Sequence, residues 1–292
     1  MVAVVTGHHG FLGQYVCNWL RAEGWEVVGA GRPEIEILSS QFDEFLRRTS
    51  PELIVHCAGP ASVPSSLADP TADLEGSATV LANVLEGVSE LSHSARVILI
   101  SSAAVYGQPN RLPVDETTPI APISPYGFNR VATELVLREF YELYDVPGVV
   151  LRVFSAYGEG LRRQILWDIC KQALSDGAVR LFGTGSESRD FVHASDVAAA
   201  IALVARHGAF SGETYNVASG TETTIRELAD LLVEEIGGGA SVSFSGTPRA
   251  GDPLNWKADI GKIEALGFRP TLGIEEGARA YARWVKEQMS SG

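Results

Sequence analysis

Residues 2–13 read VAVVTGHHGFLG, a short β-rich run followed by glycines at positions 7, 10 and 13. Phe11, Leu12, Tyr15, Val16, Trp19 and Leu20 then recur at helical spacing, so the stretch predicts strand, tight turn and helix in immediate succession. Glycine lets the backbone turn sharply there and come close to a pyrophosphate, which the free amides opening the helix then bind. The spacing departs by one residue from the G-x-G-x-x-G fingerprint, yet strand before and helix after supply the context that fingerprint needs. Gly7, Gly10, Phe11, Leu12 and Gly13 are therefore expected at a bound dinucleotide.

The same texture runs outward from this stretch. WEVVGAG (25–31), LIVHCAG (53–59), RVILISS (96–102) and GVVLRVFS (148–155) are near-continuous apolar runs, as parallel strands covered on both faces are. Helical spacing returns between them, as at Leu74, Ala78, Leu81 and Leu85. This alternation predicts an α/β chain built on a Rossmann-like, doubly wound parallel sheet. After about residue 160 come helical LWDICKQAL, turn-rich GAVRLFGTGSESRDFVH, helical SDVAAAIALVARHG, one more strand in GETYNVASG, and two further helical stretches. The expected division is a dinucleotide-binding domain over 1–160, elements near 190–218 returning to it, and a smaller C-terminal substrate-binding lobe over 161–292.

Bulk properties narrow the function. With 292 residues, 45% hydrophobic and 20% charged, the chain is long enough for one large α/β domain or two unequal lobes sharing a cleft. No apolar run approaches a membrane span. The chain enters its first strand directly, which makes a cytoplasmic location the expectation. Cys17, Cys57 and Cys170 are widely spaced and form no metal or redox pattern, and no metal site is expected. A formal charge of -13 argues against nucleic acid or an anionic membrane as partner. An anionic ligand would instead need a few placed arginines and backbone amides.

The second strand ends GAGRP (29–33), where a dinucleotide fold selects its cofactor. A carboxylate at that tip accepts hydrogen bonds from the ribose, whereas an arginine attracts a 2′-phosphate. Here Ala30, Gly31 and Arg32 come first and the first acid is Glu34, so NADP(H) is favoured over NAD(H). Glu36 and Ile37 follow, placed to flank an adenine.

SSAAVYG (101–107) closes the fourth strand, and SPYGFNR (124–130) opens a helix with Tyr126 one turn ahead of Arg130. A hydroxyl at a strand end together with a tyrosine beside a fixed cation can polarise and protonate a substrate oxygen. Tyrosine ionises near 10 when unperturbed, and an adjacent positive charge favours its phenolate.

Taken in order, TGHHGFLG, HCAG, SSAAVYG, SPYGFNR, RVFSAYG, RDFVHASDV, YNVASG and PRAGD resemble an extended short-chain dehydrogenase/reductase of the NAD-dependent epimerase/dehydratase group, whose members mostly act on nucleotide sugars. The resemblance implies Ser102 as the substrate-polarising hydroxyl, Tyr126 as general acid/base, and Arg130 in the place of a lysine that binds the nicotinamide ribose. It further implies Cys57, Ala58, Gly59 and Phe154 beside the cofactor. By the same resemblance, Ser155, Arg189 and Arg249 are expected at the substrate, and a homodimer through helices at Leu74–Leu91 and Tyr126–Tyr144 is expected. Ser77 replaces a frequent asparagine near the cofactor.

Ala103 and Ala104 stand where sugar 4,6-dehydratases carry an Asp-Glu pair, so dehydration by that mechanism is not expected. The leading expectation is an NADPH-dependent reductase of a 4-keto-6-deoxyhexose nucleotide with Tyr126 as proton donor. The alternatives are a nucleotide-sugar 4-epimerase retaining NAD, or a catalytically weakened nucleotide-binding member in which Arg130 replaces the usual lysine.

Overall fold

The computed structural model describes residues 1–91, 95–249 and 251–290. Its first half alternates as the sequence predicts: β1 (Val2–Thr6), α1 (Phe11–Ala22), β2 (Glu26–Ala30), α2 (Gln41–Thr49) and β3 (Leu53–His56). There follow α3 (Val63–Ala68), α4 (Pro70–Leu74), a π-helical turn (Glu75–Thr79) and α5 (Val80–Ser89). Next are β4 (Arg96–Ser102), a 3-10 turn (Ala103–Tyr106), α6 (Pro125–Tyr144) and β5 (Gly148–Val153). The second half runs β6 (Ser155–Tyr157), α7 (Gln164–Ser175), β7 (Ala178–Leu181), β8 (Ser188–His193), α8 (Ala194–His207) and β9 (Ser211–Val217). It closes with β10 (Glu222–Thr224), α9 (Ile225–Ile236), β11 (Ser241–Phe244), α10 (Gly261–Glu264) and α11 (Ile274–Ser290).

Six strands form one parallel sheet in the order β2-β1-β3-β4-β5-β9. This is the doubly wound order without an outer strand beyond β2, because residues 31–40 run as turns. The strands read as continuous apolar runs because their alternating side chains enter two cores. Ala3, Val5, Ile98 and Leu151 pack on the α1 and α8 face, while Val4, Ile54, Val97 and Leu99 pack with α2, α5 and Leu137 of α6. A third core joins α7, α9 and α11 through Ile169, Leu228, Leu232 and Tyr281. The run over 148–155 divides where the chain changes sheets. β5 stays in the large sheet, and β6 pairs with β8 and, through it, β10.

Two local features depart from simple periodicity. The helical stretch after Leu74 is interrupted by the π-helical turn, in which the Ser77 hydroxyl donates to the Asp73 carbonyl. Asp73 itself is buried and accepts from Asn129 of α6 at 2.6 Å.

The second feature is a buried polar chain crossing the sheet. Arg152 of β5 donates to the Glu134 carboxylate of α6 at 2.7 Å, with the two side chains only 6% and 9% exposed. Ser101 of β4 donates to the same carboxylate at 2.5 Å. The other edge of Arg152 donates to the Tyr106 hydroxyl at 2.9 Å, which in turn donates to Asn216 of β9 at 2.7 Å. Burial pushes the Tyr106 phenol up to about 12, so it serves as a neutral link.

Removing one member of such a pair strands a buried charge. Arg152→Met should cost about 3–5 kcal/mol of unfolding free energy, read as a lowered urea midpoint. The double change Glu134→Leu/Arg152→Met should recover most of that loss, and a double variant no better than the single would show that the charge was not the cause.

Candidate functional site

The glycine turn closes against the tip of β3. Gly7 has φ +66°, and a Cβ there would stand 2.8 Å from the Ala58 backbone. One on Gly13 would stand 2.2 Å from the Gly7 carbonyl oxygen. Gly10 caps α1 with no side-chain hydrogen bond and no acidic residue in the first turn, so the helix presents bare amides to a ligand. This edge is the switch point between β1 and β3, where the sheet order reverses.

A cavity of about 900 Å³ opens from this edge toward α7, β7 and residues 248–249 and 251–256. Gly7, Gly10, Phe11, Leu12, Gly13, Cys57, Gly59, Ser102, Tyr126, Arg130, Phe154, Ser155, Arg189 and Arg249 all line it. Four residues expected at the cofactor, Arg32, Glu36, Ile37 and Ala58, do not line it. Ala58 lies behind the lining, its amide donating to Thr6 Oγ1 at 3.2 Å. Ile37 is in the core at 5% exposure, with its carbonyl accepting from Asn83 at 2.6 Å. Arg32 projects into solvent at 84% exposure, where Glu36 pairs with it at 3.3 Å. Ser77 is buried in its own helical turn.

Ser124 caps α6, accepting from the Gly127 amide at 3.2 Å, and Pro125 occupies the first helical position. The Tyr126 amide donates to Ser66 Oγ at 3.0 Å, fixing how the helix enters the cleft. One turn on, Arg130 Cζ lies 5.1 Å from the Tyr126 ring centroid. Arg130 is 5% exposed; it donates to the Pro60 carbonyl at 2.5 Å and, at 3.4 Å, to that of Ile100. Gly59, at φ +129°, makes room for it, since a Cβ would stand 3.2 Å from the guanidinium. Among the described residues no carboxylate pairs with Arg130, and its Nε is buried without a partner. His56 beneath it is held neutral, burial and then the Arg130 charge pulling it down to about 3.

Ser102 Oγ accepts from the Ala104 amide at 3.2 Å at the end of β4. Ala103 and Ala104 are buried, so no carboxylate stands beside Ser102 at those positions. Phe154 meets Trp256 edge-on at 5.9 Å, and the indole donates to the Gly107 carbonyl at 3.0 Å. Arg189 lies 5.6 Å from the Trp256 ring and donates to the Ser188 and Leu254 carbonyls.

Sequence reasoning missed three further cations on the lining, Arg163, Lys171 and Arg180. Lys171 and Asp168 sit one turn apart on α7, and that pairing was the available signal. Burial raises the Asp168 carboxyl, opposed by Arg249 and Lys171. It also missed His8, His9 and Glu34, whose donor atoms all lie within 4.8 Å of one another beside the glycine turn.

The residues present fit a dinucleotide. Uncapped amides open α1, glycines admit close approach, and a buried guanidinium nitrogen on the cavity wall lacks a partner. Residues 3–218 match the NAD dependent epimerase/dehydratase family. A UDP-glucose 4-epimerase of Mycolicibacterium smegmatis is 30% identical, the alignment covering 95% of this chain and 96% of that protein. Among solved structures, the Thermus thermophilus UDP-glucose 4-epimerase in complex with NAD superposes with a TM-score of 0.87 at 27% identity, covering 98% of this chain and 99% of that one. A dTDP-glucose 4,6-dehydratase from Streptomyces venezuelae with NAD bound superposes at 0.90 and 26% identity, covering 100% and 98%.

Gly13→Ala sets a Cβ against three backbone atoms of the turn, the Gly7 carbonyl carbon and oxygen and His8 Cα. It should weaken NADH binding, followed by nicotinamide fluorescence, by about tenfold or more, with the far-ultraviolet circular dichroism unchanged. Unaltered affinity would separate the turn from nucleotide binding.

Proposed function

Because the chain belongs to the NAD dependent epimerase/dehydratase family, we propose that it is a nucleotide-sugar 4-epimerase that keeps NAD in its cleft. The observation that carries this is the composition of one cavity wall: Ser102, Tyr126 and Arg130 share it with the glycine turn, and apolar Ala104 takes the place of a dehydratase acid. NAD, when bound, supplies a reversible hydride acceptor. Gly7, Gly10 and Gly13 with the amides of α1 would hold it at one end, and Arg130 at the other.

The remaining chemistry belongs to the side chains. Tyr126 takes the proton of the sugar 4-hydroxyl and returns it, while Ser102 holds the same oxygen through its hydroxyl. Arg130 keeps a positive charge beside the Tyr126 ring at every working pH. Its two carbonyl anchors leave it no freedom to swing away. Arg189 and Arg249, with Arg163, Lys171 and Arg180, suit the diphosphate of a nucleotide sugar.

Two observations favour the epimerase over the NADPH-dependent keto reductase that the sequence suggests first. Relatives matched over nearly the whole chain carry 4-epimerase names, and the solved neighbours contain NAD. Arg32, the basis for preferring NADP(H), is neutralised by Glu36 and stands two residues from Glu34, so the β2 tip offers a 2′-phosphate two carboxylates for one cation. Pairing of two copies across α4–α6 would cover Leu74, Phe128 and Leu135, which are 43%, 61% and 59% exposed.

Purified protein incubated with UDP-glucose, UDP-glucuronic acid, UDP-N-acetylglucosamine or dTDP-glucose should yield the C4 epimer of at least one, by proton NMR, without net change in NADH absorbance. Failure with all four, or a 4-keto-6-deoxy product, sinks the proposal. Tyr126→Phe should lower turnover by about a hundredfold or more. Arg130→Lys should lower it by roughly tenfold, because the shorter-reaching ammonium cannot bridge the Pro60 and Ile100 carbonyls as the planar fork does.

A further inference from the structure

We propose that His8, His9 and Glu34 form a binding site for a borderline divalent cation, of the Zn²⁺ and Ni²⁺ class, on the outer lip of the glycine turn. None of the three lines the large cavity. The His9 Nε2 to Glu34 Oε1 distance is 2.8 Å, and His8 Nε2 stands 3.8 Å from the other carboxylate oxygen. The second distance is too long for a hydrogen bond. It matches two ligands of one ion, which stand about 3–4 Å apart when each bond is near 2.1 Å. One donor atom from each of the three residues therefore lies within 4.8 Å of the other two, and the two rings lie 3.8 Å apart.

The site is part fixed and part open. The His8 side chain is 16% exposed and lies over Gly29 of β2, where any Cβ would stand 2.3 Å from the ring. Residue 29 has to be glycine for that ring to sit there. His9 and Glu34, at 59% and 50% exposure, face solvent, from which an ion enters and a water completes its coordination. Two imidazoles with a single carboxylate suit zinc or nickel rather than magnesium or calcium, which prefer all-oxygen shells. Nδ1 of His8 is buried without a partner. A metal-bound imidazole carries a proton there, and leaving it unsatisfied weakens the site by roughly ten- to a hundredfold. The affinity is therefore that of an exchangeable ion rather than a permanent structural one.

Position gives the ion a consequence. Arg32, Glu34 and Glu36 crowd the loop after β2 with one positive and two negative charges. A dication held by Glu34 reverses the sign of that group. A dinucleotide bearing a 2′-phosphate then gains relative to one without it. This consequence rests on the dinucleotide reading above, whereas the metal site does not.

Full-length protein freed of metal with EDTA should bind one Zn²⁺ per chain by isothermal titration calorimetry, with an affinity in the micromolar range. Co²⁺ should give the visible absorption of a four-coordinate site, and Mg²⁺ should not compete. Glu34→Gln and His9→Ala should each weaken Zn²⁺ at least tenfold, while His207→Ala, at an exposed histidine of α8, should leave it unchanged. Absence of Zn²⁺ binding below about 1 mM overturns the site, as does binding indifferent to both variants. In parallel titrations, Zn²⁺ should raise the affinity for NADP⁺ relative to NAD⁺ in the wild type and not in Glu34→Gln. If neither dinucleotide binds, the reading of the cleft fails, and the Zn²⁺ titration still decides the metal site.

Discussion

The buried ion pair between Glu134 and Arg152 governs where everything on α6 points. Tyr126, Arg130 and Glu134 follow one another at single-turn intervals, so fixing one fixes the azimuth of all three. Glu134 is held by β4 through Ser101 and by β5 through Arg152, which leaves the helix no freedom to rotate against the sheet. Asn129 grips Asp73 from the opposite flank. Desolvating two charges is costly, and an apolar pair would stabilise the fold as well or better. What the ion pair adds is direction: Tyr126 and Arg130 must face the edge where β1 and β3 diverge.

Arginine at position 130 then follows a different logic from a lysine. A guanidinium has a fixed fork of donors, and here two of its nitrogens bind carbonyls on separate segments, Pro60 beyond β3 and Ile100 in β4. The residue therefore ties the wall of the cleft together while its third nitrogen stays unpartnered. Gly59 yields the space the larger head group needs. A structural tie and a local charge are combined in one side chain, so substitution there disturbs both at once.

How much of this could be read beforehand depended on whether the cause was local. The parallel strands were legible because burial on both faces leaves continuous apolar runs such as LIVH, and the glycine turn because backbone approach admits no side chain. Tyr126, Arg130 and Ser102 came to one cavity as their order implied. The π-helical turn was not legible, since the residues gripping it, Asp73 and Asn129, meet across 56 positions. Ile37 was misplaced because an apolar residue after β2 can serve a ligand or a core, and Leu81, Leu85 and Phe42 claim it for the core. Arg32 looked like a phosphate ligand in isolation, but its partner was visible four residues on. The meeting of His8 and His9 with Glu34 depends on β1 lying beside β2, a fact of topology rather than of pattern.

The charge distribution carries the last constraint. The chain has 36 acids against 23 lysines and arginines, yet six of those cations line a single cavity, counting Arg130, Arg163, Lys171, Arg180, Arg189 and Arg249. Four acids share the wall: Glu187 accepts from the Thr184 and Gly185 amides, burial raises the carboxyl of Asp168, and Asp176 and Asp252 complete the set. At physiological salt the field of a net -13 surface fades within about 8 Å. An anionic ligand is therefore selected at contact distance by where these cations stand, and not by attraction from afar. That favours a multiply charged diphosphate spanning several of them over any small anion, which would find only one or two.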